Sequence, residues 1–102
     1  LSEAEQAVNE AREQADSARE QARQAAADVQ EAQRDVGRAA QSGNQEDMEK
    51  AQHDLVETRR QAEQAQRDSR HAAEEAQRAA EEAEQAAQDY MDEIARSGGD
   101  GN

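Results

Sequence analysis

Ala39-Ala40-Gln41-Ser42-Gly43-Asn44-Gln45-Glu46-Asp47-Met48 is the stretch whose reading decides the fold of this chain. Gly43 can take the left-handed backbone conformation that closes a helix. Asn44, with Asp47 three residues on, can open the next one by capping and charge. On the N-terminal side, Leu1, Ala4, Val8, Ala11 and Ala15 begin an unbroken 3–4 alternation that runs through Val29, Ala32 and Val36 to Ala39. On the C-terminal side a second alternation starts at Met48, Ala51 and Leu55, ends at Ala86, and is extended by Tyr90. Thr58 and Ser69 interrupt it, and both are small. Such heptads mark a coiled-coil seam.

The two series are out of phase with each other. Carried through the middle, the first would put Gly43, Glu46, Lys50, His53, Glu57 and Arg60 inside, which no core accepts. A turn restarts the register. Antiparallel pairing matches residues whose numbers share a constant sum. With a sum of 87, Ala39 meets Met48, Val36 meets Ala51 and Ala32 meets Leu55, down to Leu1 with Ala86. The midpoint falls between Gly43 and Asn44, the residues already chosen as the turn. We expect an all-α fold, an antiparallel, alanine-rich coiled-coil helical hairpin forming one domain over 1–97. Its first helix covers about 3–41, the turn 42–45 and the second helix about 46–96, with a flexible tail at 98–102.

Composition agrees with that reading and excludes others. Of 102 residues, 12 are Lys or Arg and 25 are Asp or Glu, for a net charge of −13. Most of the apolar residues are Ala, and there is no Phe, Trp, Cys or Pro. A conventional globular core is therefore excluded, because Ala removes too little apolar area from water. A disulfide scaffold and a Cys-based zinc or redox centre are excluded with it. No apolar run reaches the length of a membrane span and no signal-peptide pattern is present in this chain, which leaves localisation open. The charge repels phosphate and anionic lipid, so neither nucleic acid nor membrane is expected as a partner. Ala, Glu, Gln and Arg are strong helix formers. Ser2 and Glu5 have capping-box spacing at the start of the first helix. Gly37 should weaken that helix by about 1 kcal/mol relative to Ala.

Few side chains could carry chemistry. His53 and His71 fall at outward heptad positions. Asp68 and His71 have the carboxylate-x-x-His spacing of di-metal bundles, yet such a site needs a second motif and further inward carboxylates. Ser17, Ser42, Ser69 and Ser97 have no base placed beside them. The Gly98-Gly99-Asp100-Gly101-Asn102 tail is too short for a calcium loop and lacks its closing Glu. We therefore expect no catalytic residue, no metal site, no cofactor and no enzymatic activity.

The length and mid-chain turn are similar to those of the helical-hairpin substrates of type VII secretion. That family's Trp-x-Gly turn is replaced here by Ser42-Gly43-Asn44, and Tyr90 is followed four residues later by Ile94 instead of an acid. The chain also resembles hydrophilic late-embryogenesis-abundant proteins in its Ala, Gln and Glu content. It departs from them in its seven-residue period and its single Lys and single Thr. Neither likeness assigns a family.

Most seam residues are Ala, so an isolated hairpin should be marginal. Asp28 and Asp35 on one flank face Asp47, Asp54 and Asp68, which adds repulsion. The last third of the second helix carries a wider apolar stripe than one partner helix needs. Ala73, Ala80, Ala87, Tyr90, Met91 and Ile94 form the expected interface, and a homodimer making a four-helix bundle the expected assembly. The function expected is that of a non-enzymatic structural or interaction module: a spacer, tether or oligomerisation element. The alternatives are an acidic, hydrophilic, stress-protectant-like helix former and an acidic decoy for a basic protein partner.

Overall fold

A computed structural model of the chain describes residues 2–100, with side chains to residue 98. It is all helical, with two long helices, α1 over Glu3–Ser42 and α2 over Gln45–Asp100, in a hairpin-like arrangement. Between them lie Gly43 and Asn44 alone. Gly43 has a φ of 73°, in the left-handed region, and is the one positive-φ residue among those described. A Cβ here would be strained by its own backbone although nothing stands within 4 Å of it.

Hydrogen bonds around the turn explain why it forms at this point. The Ser42 hydroxyl donates to the Ala39 carbonyl at 2.7 Å and accepts from the Asn44 N–H at 3.3 Å, bracing the chain across Gly43. Asn44 then caps α2. Its side-chain oxygen accepts from the N–H groups of Glu46 (2.9 Å) and Asp47 (3.3 Å), and its carbonyl accepts from Met48 at 3.1 Å. These satisfy donors that a helix start otherwise leaves unpaired. Glu46 and Asp47 in the first turn of α2 also suit the helix dipole. At the start of α1, Ser2 does the same work: its hydroxyl accepts from Glu5 N–H at 3.1 Å and its carbonyl from Gln6 N–H at 3.0 Å.

The chain divides into two units, each holding part of both helices. One comprises Asp16–His71 and contains the turn; the other comprises Leu1–Ala15 with Ala72–Asn102. In the turn-containing unit, every heptad position from Ala18 to Ala39 and from Met48 to Ser69 is buried or half-buried. Ala32, Ala39 and Ala51 are the most covered there, at 8–9% exposure. In the other unit, Ala4, Val8, Ala11 and Ala15 on α1 and Ala72, Ala76, Ala79 and Ala83 on α2 are covered likewise. All of these pairings at a sum of 87 fall inside one unit or the other. Leu1 lies outside the described residues, and Ala86, its expected counterpart, is exposed. Near the turn, Ala39 and Met48 line one small groove with Gly43 and Asn44, as the expected register allows.

Thr58, one of two polar residues in the seam with Ser69, is accommodated by its own helix. Its hydroxyl donates to the Asp54 carbonyl at 2.6 Å, so the seam holds no unpaired hydroxyl at that point. No buried side-chain N or O among the described residues lacks a partner.

At its C-terminus α2 runs further than expected. The structure continues α2 past residue 96 to Asp100, so residues 98–100 of the expected flexible tail are helical; Gly101 and Asn102 lie outside the described residues. Glycine ends a helix by turning left-handed, and Gly98 does not. With no Pro to remove a donor, the i→i−4 ladder runs on.

Gly37 sits inside α1, exposed, with nothing within 4 Å of the place a Cβ would occupy. No packing reason for the glycine exists at this site. Gly37→Ala is therefore expected to raise stability by about 1 kcal/mol. Urea unfolding followed by circular dichroism checks it. An unchanged or lowered midpoint would mean that the glycine has a role the hairpin itself does not show.

Candidate interaction surface

Beyond Ala83, α2 continues through Glu84–Gly98 without a single covered residue. At about 1.5 Å per residue, this uncovered part is roughly 20 Å long. It carries Tyr90, Met91 and Ile94, at 67%, 61% and 54% exposure. An exposed trio of large apolar groups stands out in a chain that has so few of them. Of the remaining interface expectations, Ala73 and Ala87 are exposed, while Ala80 is half-buried.

The helical repeat sets how these residues group. At about 100° per residue, Ala86, Tyr90, Ile94, Ala87 and Met91 fall in an arc about 140° wide. Glu82, Asp89 and Glu93 line one edge of the arc, and Glu84 lines the other. The next seam position after Tyr90 is Glu93, so the apolar face has moved off the hairpin seam toward Ile94. A helix lying along the old seam would meet a carboxylate there.

Charge is distributed unevenly along the chain. As far as Arg78, acids pair with an Arg three residues on: Glu20–Arg23 at 3.2 Å, Asp35–Arg38 at 2.6 Å, Glu57–Arg60 at 3.5 Å and Glu75–Arg78 at 2.9 Å. Each such pair contributes a few tenths of a kcal/mol. Between Arg78 and Arg96 there is no cation, while Glu81, Glu82, Glu84, Asp89, Asp92 and Glu93 are all acids. Their neighbours are amides instead, with Gln85 donating to Asp89 and Gln88 to Asp92, both at 2.9 Å. Composition totals hide this cation-free run; the spacing of the Arg residues would have revealed it. Val56, 54% exposed in the turn-containing unit, is a further surface apolar residue outside the heptad series.

Near the turn an open groove of about 360 Å³ collects Asp35, Asp47 and Asp54 together with Arg38 and Lys50. Of the carboxylates expected to face one another on that flank, Asp35, Asp47 and Asp54 line this groove and Asp28 and Asp68 do not. His53 and His71 are both exposed. Among the described residues no group of three His, Cys, Asp or Glu could hold a metal ion. Among the described residues no helix is long and apolar enough to cross a membrane. Compared with protein-family models, curated proteins and solved structures, the chain matches none.

Proposed function

We propose that this chain is a non-enzymatic interaction module, in which paired helices act as a spacer and the C-terminal part of α2 joins it to another helix. The observation that supports this is the uncovered stretch after Ala83, which stays helical while presenting Tyr90, Met91 and Ile94 to solvent. Exposed apolar surface of this kind is stabilised by another helix laid across it. In its simplest form the other helix belongs to a second copy, giving a homodimer and a four-helix bundle with Ala73 and Ala87 at the contact. Small residues there let the helix axes approach closely.

Sedimentation equilibrium tests the reading. At tens of micromolar protein in moderate salt, a dimer is expected, and Ile94→Asp should return it to monomer with unchanged helicity. A wild-type monomer that keeps its full helicity at those concentrations would remove the homodimer.

A further inference from the structure

We propose that the preferred occupant of the α2 surface is a cationic amphipathic helix, which binds more tightly than a second copy of this acidic chain. The inference rests on the reading of this segment as a docking surface and names the chemistry of what docks.

Two independent features converge on it. The apolar arc through Tyr90, Ile94 and Met91 is exposed and suits the nonpolar face of one helix. Its edges are acidic on both sides, with Glu82, Asp89 and Glu93 along one and Glu84 along the other. Among the described residues, none of these four carboxylates is paired with a cation. In helix pairs, residues flanking the apolar contact face their counterparts on the partner and set partner choice. A second copy, wherever its own Glu84–Glu93 run enters the contact, brings carboxylates against carboxylates. A helix with Lys or Arg beside its apolar stripe brings opposite charge to both edges. The offset of the stripe from the hairpin seam also matters. A helix extending the old seam would meet Glu93, whereas one centred on Ile94 leaves that carboxylate at the rim, where it can face a cation.

The test titrates the full chain, labelled with nitrogen-15, with an 18-residue amphipathic Leu/Lys peptide. Two controls run beside it: a Leu/Glu peptide of the same pattern, and the Leu/Lys composition in scrambled, non-amphipathic order. One Leu/Lys peptide should bind per chain, with amide shifts concentrated in residues 84–96. Its affinity should fall about tenfold or more between 50 and 500 mM NaCl, as expected for a contact set by exposed charges. Glu82→Gln/Glu93→Gln should weaken it without changing helicity, since both side chains are exposed. Ile94→Asp should weaken it through loss of the apolar contact. Equal binding by the scrambled peptide, or shifts spread over both helices, would mean simple ion exchange and would overturn the proposal. Equal binding by the Leu/Glu peptide would overturn the charge preference while leaving the docking surface in place. If no peptide binds and Ile94→Asp leaves sedimentation unchanged, the docking surface itself is lost.

Discussion

Ala32→Asp should unfold the hairpin, or destabilise it by about 3 kcal/mol or more, because it places a charge with no partner in the seam. Ala32 is only 8% exposed and lies opposite Leu55 in the expected register. The effect is large for two reasons. Desolvating a carboxylate beside methyl groups has no compensating hydrogen bond. The seam also has little stability in reserve, since its most covered residues are Val8 and four alanines. Part of any Ala→Asp change reflects lower helix propensity, about 0.7 kcal/mol. Ala27→Asp isolates that part, because Ala27 is exposed on the same helix and adds the same charge. Thermal and urea unfolding of the two variants should separate by several kcal/mol. Equal losses would mean that the covered alanines contribute no more than exposed ones, and the hairpin assignment would fail.

Salt should act in the opposite direction and nearly as strongly. With 25 acids against 12 cations, the folded chain brings more like charge together than opposite charge. In the groove near the turn, Asp35, Asp47 and Asp54 outnumber Arg38 and Lys50, and Asp35 is already paired with Arg38. Added salt screens repulsion and attraction alike, so magnitudes decide the sign. The i,i+3 pairs are exposed and worth only tenths of a kcal/mol each, whereas the unbalanced charge is −13. Moving from 10 mM to 1 M NaCl should therefore raise Tm by on the order of 10 °C, corresponding to roughly 2 kcal/mol for a domain of this size. Asp54→Asn should raise the low-salt Tm and leave the high-salt value closer to wild type. A melt that ignores ionic strength, or one that falls, would show that the flank carboxylates are too well hydrated to matter.

The parts of the fold that could be read in advance are those governed by periodic or local chemistry. The 3–4 spacing of Ala, Val and Leu identified nearly every residue the structure covers. Gly43 and Asn44 were legible because each has a distinct backbone role, one left-handed and one capping. What resisted reading was the end of α2. Gly98 and Gly99 permit a stop without compelling one, and no Pro enforces it. The half-burial of Ala80 was also out of reach, because heptad position alone does not say how far a flank is shaded by its neighbour. The width of the apolar stripe pointed to Tyr90, Met91 and Ile94, which the structure leaves exposed. The carboxylate rim was not legible, since it depends on where the Arg residues are missing.

The two heptad series are phased independently of each other, and the joint between them is only Gly43 and Asn44. A single codon gained or lost inside either helix turns everything downstream by about 100° and carries the methyl row away from its counterpart. Between Gly43 and Asn44, an added residue lengthens a loop and leaves both rows aligned within their own helices. Over generations this chain would change length most readily at that hinge, or by whole sevens removed from both arms together.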